Sequence, residues 1–404
     1  MRYVTHLSAF LVCAKRRDAI ARGARETRVC MTGQTGKQSA TDLALAAAHG
    51  AGRLRFNAEA NRWLLTSFDG ARAMVADQSF HLTPVTASAP RPDSGAIGML
   101  LQRGTHLQAL WHESHMRIRP VAASALKPGA LAGLDTAIRA RARRLIEAAI
   151  ASQAGDLEAA FVMPLVGDTF MDLLGVPESR RTFVLRCGTM FGGFFGHGAT
   201  MIDAAMAQAS VGQFFERLLR EPPAQGAVIL QTAQAGLADG ALTGDEAVTL
   251  LSDLLFGSMH ATPVTLAFLL GQLTDPALRQ AIVGGETSIE TVIDEAARLR
   301  SARYPQGRVS TREVRLDGET IPAGARFGLD YDAINRDPDR FASPRDFDPD
   351  RRDADAMAFG GGMHRCVGRH LARIELRIGA ETFLDAVSHL SVEGLARLAA
   401  LTRD

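Results

Sequence analysis

Near its C-terminus the chain reads Phe359-Gly360-Gly361-Gly362-Met363-His364-Arg365-Cys366-Val367-Gly368, and no other stretch constrains the fold as much. A lone cysteine follows a run of glycines, with His364 two positions before it and Gly368 two after. An apolar pattern at helical spacing starts at once, through Val367, Leu371, Ile374 and Ile378. A cysteine at the mouth of a helix lies near backbone N–H groups and the positive end of the helix dipole, which favours thiolate over thiol. The glycines allow the backbone to pass close to a flat, bulky group where a Cβ would collide. Phe359 is placed to cover the sulfur and keep water from it.

Thiolate ligation is how a protein pushes electron density into a haem iron. The pattern F-x-x-G-x-H-x-C-x-G resembles the haem-binding loop of the cytochrome P450 family. A plain buried cysteine beside a glycine turn would not need these positions at fixed spacing. The resemblance covers about residues 41–395. It implies a mainly α protein with a small β region, a single large fold in which a long central helix lies over the haem. It also implies haem b (iron protoporphyrin IX) as cofactor, Cys366 as the iron's ligand, and Phe359 and Gly368 as cofactor contacts. Residues 1–40 match the family weakly and are read as an N-terminal extension, with residues 41–404 as the haem-thiolate domain.

The composition sets outer bounds. Of 404 residues, 47% are hydrophobic, enough for a sizeable core, and a formal net charge of +1 gives no general pull toward nucleic acid or an anionic surface. Cys13, Cys30, Cys187 and Cys366 are widely scattered, which argues against a zinc site or a disulfide framework and fits a reducing compartment. A short apolar run over residues 7–14 precedes Lys15-Arg16-Arg17. A signal peptide carries its positive charge before the run, and a membrane span needs about 20 apolar residues. The expectation is an amphipathic or disordered leader on a cytoplasmic protein with no membrane or nucleic-acid partner.

Along the chain, residues 54–75 read as short strands and a turn followed by a helix through Phe68 to Ala76. Residues 81–105 are rich in Pro, Gly, Ser and Thr and read as a long loop. Helical patterns dominate 115–300, and strand-like stretches with turns at Asp317-Gly318 and Pro322-Ala323-Gly324 occupy 305–330. Residues 335–365 read as irregular, and the last helix is expected to begin near Cys366. Thr243-Gly244-Asp245-Glu246 is a capping box. The apolar run behind it reads as one helix to about Leu273, of roughly 30 residues and ~45 Å. By resemblance this is the helix over the distal haem face.

Further motifs align with the cysteine loop. Glu295-Ala296-Ala297-Arg298 fits the family's E-x-x-R, a structural pair whose i, i+3 spacing puts both side chains on one helix face. The family draws a third member from a P-x-R-F segment. Here that segment reads Pro344-Arg345-Asp346-Phe347, so the network is expected to be rewired through Arg345 or to be looser. Haem propionates need cationic or donor partners when buried. His115 and Arg119, one turn apart in an H-x-x-x-R motif, Arg308 and His364 are the residues the resemblance assigns to them. At the centre of the distal helix the family reads A-G-x-[D/E]-T, where the acid and threonine help deliver protons. This chain reads Phe256-Gly257-Ser258-Met259-His260, and Pro263 withholds an N–H from the carbonyl of Met259, so a kink is expected there. Phe256, Gly257, Met259 and His260 are the distal candidates. Three readings of His260 stand open: proton donor, substrate-orienting wall, or distal iron ligand.

Three functions compete at this point. The first is a monooxygenase acting on a small organic, natural-product-like molecule with electrons from a ferredoxin and ferredoxin reductase or a flavoprotein. The second is a haem-thiolate enzyme of altered chemistry: peroxide-driven oxidation, oxidative coupling, rearrangement or dehydration. The third is a haem-free partner protein, disfavoured by Cys366 and the four propionate candidates. Specificity is expected from residues 81–105, 165–205 and 256–263 and the strand after Arg308. Met163, Met190, Phe191, Phe194 and Phe195 point to an apolar substrate or to ordinary core.

Overall fold

The computed structural model describes residues 39–82, 112–152, 156–196, 201–300, 306–316, 319–351 and 356–388. Residues 1–39 and 40–404 form separate units. Most of the N-terminal extension, the bulk of the 81–105 loop and the chain after residue 388 lie outside the described residues, as do the side chains of Phe194 and Phe195.

The described residues are mostly helical, with one mixed sheet and a hairpin among them. The elements are α1 (Ala40–Gly50), β1 (Leu54–Asn57), β2 (Arg62–Leu65), α2 (Phe68–Ala76), β3 (Phe80–Leu82), α3 (His112–Ala125), α4 (Leu134–Ala151), α5 (Met163–Leu173), α6 (Glu178–Gly196) and α7 (Met201–Leu218). They continue with α8 (Val228–Ala238), α9 (Gly244–Ser258), α10 (Ala261–Gln272), α11 (Pro276–Val283), α12 (Ile289–Leu299), β4 (Gln306–Ser310), β5 (Val314–Leu316), β6 (Glu319–Ile321), β7 (Arg326–Leu329), α13 (Tyr331–Ile334) and α14 (Arg369–Val387). The main sheet has the order β1-β2-β7-β4-β3, with only β2 and β7 parallel. N-terminal strands thus flank C-terminal ones. Residues 81 and 82 belong to β3 rather than to a loop, because they pair with Val309 and Arg308. The last helix starts at Arg369, with Gly368 as its cap, so Cys366 sits in the turn ahead of it.

Two apolar cores divide the work. The larger joins α3 to α12 and α14, and the smaller lies between the sheet, α1 and α2. The capping box forms as expected: Glu246 N–H donates to Thr243 Oγ1 (3.3 Å), and Thr243 N–H donates to Glu246 Oε2 (2.8 Å). The long helix, however, is two. It breaks at Met259 and His260, and Pro263 sits in the first turn of α10, where its missing N–H costs nothing. The run Gly244–Gln272 is apolar enough for a membrane span by composition. Here it is core, since α9 packs on α7 and α8, and α10 packs on α12 and α14.

Candidate active site

The cysteine turn is built by glycine. Gly360 (φ +64°) and Gly362 (φ +62°) adopt the left-handed backbone that side chains resist. A Cβ on Gly362 would lie 1.8 Å from the carbonyl oxygen of Val75, at the end of α2. At Gly362 the missing Cβ lets the turn pack directly against the end of α2. The Cys366 N–H donates to the carbonyl of Phe359 (2.8 Å), which closes the turn. The thiol is accessible, yet crowded by protein, and this desolvation pushes its pKa up. The N–H groups of Gly368 and Arg369 and the charges of Arg119 and Arg369 pull the other way without overcoming it.

Cationic and donor groups gather around this turn. Arg119 on α3 donates to the carbonyl of Arg365. His364 Nδ1 and His115 Nε2 lie 3.1 Å apart, with ring centroids 4.2 Å apart. His115 is buried. Arg308 on β4 is only 1% exposed. It donates to the carbonyl of Gly307 (3.1 Å) and to Gln306 Oε1 (3.4 Å), and among the described residues no acid pairs with it.

Glu295 and Arg298 form the expected buried bidentate pair, at 2.7 Å for both contacts. Arg298 also donates to the carbonyls of Asn335 (2.7 Å), Pro344 (2.8 Å) and Asp346 (3.2 Å), which pins the irregular segment ahead of the cysteine. The third member is Arg351, whose Nε donates to Glu295 Oε1 (3.2 Å), and not Arg345. Asp346 contributes only its backbone. A search for an arginine downstream of Phe347, instead of before it, would have found Arg351.

The distal candidates divide by face. Phe256 stacks on Phe191 of α6 at 4.0 Å between centroids and 17° between planes. Met259 lies against Gly188, also on α6. Both are buried. Gly257 is exposed with open space at its Cβ position, and His260 is half-buried at the cap of α10. Phe256 and Met259 thus face α6, while Gly257 and His260 fall on other sides of the break.

The family model for cytochrome P450 matches residues 288–394, which hold Glu295, Arg308 and Cys366. The chain is 32% identical over 240 residues to cytochrome P450 105C1 of a Streptomyces species, a match that covers 58% of this chain and 61% of that one. In this segment, in its curated relatives and in its fold, the chain is similar to bacterial-type cytochromes P450. It is a P450-type oxidoreductase with haem b as cofactor. A mycinamicin IV hydroxylase/epoxidase of Micromonospora griseorubida is 28% identical over 80% of this chain and 81% of its own. The crystal structure of P450BioI, solved in complex with a fatty-acyl carrier protein, superposes with a TM-score of 0.73 at 20% identity, over 85% of this chain and 90% of that one, and shows the shared fold. P450 enzymes of bacterial type work on small molecules with a separate redox partner. The residues present suit haem b: an accessible thiol, and a buried guanidinium short of an anion where the cofactor brings two carboxylates.

Proposed function

We propose that the chain is a cytochrome P450 monooxygenase acting on a small, largely apolar, natural-product-like molecule, in the cytoplasm, with electrons from a ferredoxin-type partner. The observation that carries this is the Cys366 turn, with its thiol accessible and His115, Arg119 and His364 grouped about the same segment. When bound, haem b supplies the redox and oxygen-activating chemistry. Cys366 would hold its iron through the thiolate sulfur. His115, Arg119, Arg308 and His364 hold its carboxylates, and Phe359 and Gly368 enclose the sulfur. Phe256 and Met259 brace the distal helix against α6, and Gly257 leaves room beside it. His260, at the break, moves a proton from its imidazole nitrogen in place of the family's acid and threonine.

One observation favours the second reading, a haem-thiolate enzyme driven by peroxide or catalysing coupling, rearrangement or dehydration. The position where the family keeps its acid carries Met259, and that side chain is packed on α6. The test is a reduced CO spectrum of wild type and Cys366→Ala, followed by turnover with a ferredoxin system and with peroxide. The strongly red-shifted Soret band should vanish in Cys366→Ala. Its retention would overturn the ligand assignment. Faster product formation with peroxide than with the reductase system would select the second reading. His260→Ala should cut turnover about 100-fold while substrate binding survives.

A further inference from the structure

Tyr331 opens α13, directly after β7, and is 3% exposed. Its hydroxyl is buried, with Arg308 near enough to donate to its oxygen and no acceptor for its proton among the described residues. It lies 3.5 Å from the Cβ position of Gly360, in the cysteine turn. It is also close enough to Arg308 for the two side chains to interact electrostatically. A guanidinium is a donor only, so Arg308 can give to the tyrosine oxygen but cannot take its proton. The hydroxyl proton needs an acceptor from elsewhere, and leaving it unmet inside a protein is costly. Arg308 has the complementary shortage, being a buried cation with no acid partner among the described residues. A single carboxylate placed against this pair answers both: it neutralises the guanidinium and accepts from the phenol.

We propose that the Tyr331 hydroxyl donates to the same haem carboxylate that Arg308 neutralises, which makes Tyr331 a cofactor-positioning residue. This rests on the reading of Arg308 as a propionate partner. A buried water bridging the hydroxyl to backbone would satisfy the phenol equally well, and the test separates the two.

The ferric holoenzyme is challenged with excess apomyoglobin, and haem transfer is followed for wild type, Tyr331→Phe and Arg308→Ala. The Phe variant keeps the ring and removes one oxygen. It should release haem about tenfold faster, the factor expected for one hydrogen bond to a charged group. Its haem reduction potential should fall, because a donor that drew charge from the carboxylate is gone. In protein reconstituted with haem dimethyl ester, which has no carboxylate, wild type and Tyr331→Phe should release at equal rates. If Arg308→Ala releases haem quickly while Tyr331→Phe matches wild type in rate and potential, the tyrosine contact is refuted and the arginine reading stands. If the tyrosine effect persists with the dimethyl ester, the hydroxyl serves a water or packing and the proposal falls. If Arg308→Ala itself holds haem as wild type does, the underlying reading fails and this inference with it.

Discussion

Glu295 accepts four hydrogen bonds: two from Arg298, one from the Asp348 N–H (3.0 Å) and one from Arg351. Burial raises its pKa, but the Arg298 bonds, the Asp348 N–H and Arg351 outweigh that, and the carboxyl ends below its ordinary range. A carboxyl depressed in the folded state contributes stability above its unfolded pKa and loses it as pH falls through the folded value. Holoprotein should therefore unfold as pH drops below about 4, and thermal melts across pH 3–6 would show it. Glu295→Ala leaves Arg298 buried without its anion, at a cost of about 3–5 kcal/mol, and should yield no holoprotein by its CO spectrum. Arg351→Ala should be milder, about 1–3 kcal/mol. The pair was readable from E-x-x-R because i, i+3 spacing is a property of the helix itself. Arg351 was missed because the segment after residue 335 has no periodicity to fix a register, although Pro349-Asp350-Arg351 keeps the P-x-R spacing that Pro344-Arg345-Asp346 lacks.

The elements α9 and α10 show the same division. Pro263 announced a break, since a proline cannot donate within a helix. Which way Phe256 and Met259 face depends on where α6 packs, and no local pattern states that. On α14, Glu375 is buried, and its Oε1 has no hydrogen-bond partner. Desolvation pushes this carboxyl well above its ordinary value, and the Arg141 charge opposes the rise only in part. A raised carboxyl contributes stability that is complete below the unfolded pKa and declines as pH rises toward the folded value, because the unfolded chain ionises first. Glu375→Gln keeps the shape and removes that ionisation. The variant should melt above wild type at pH 7, with the difference closing below about pH 4. Equal melting temperatures at both pH values would show that Glu375 is not held neutral.

Across the whole molecule, the mainly helical fold was legible from apolar spacing, and strands in 54–65 and 306–329 were legible from their turns, but β3 was read as loop because its strand shows only in its pairing with β4. The sheet order was not legible, because it joins strands from both ends of the chain. The cysteine turn is tied to the N-terminal end as well. Gly361 and Gly362 lie against Val75, and a Cβ at Gly362 would collide with backbone that cannot give way. Gly362→Ala, which also forces a positive φ, should abolish the CO-binding holoprotein while leaving helix content by circular dichroism close to wild type. The contact between Val75 and Gly362 has a consequence in time. Segments separated by most of the chain must meet before the turn that presents Cys366 is framed, and such closures are slow compared with helix formation. On refolding from denaturant in the presence of haem, ellipticity should recover first and the thiolate-type Soret band should rise in a later phase, so the protein acquires its colour only after α2 and the cysteine turn have met.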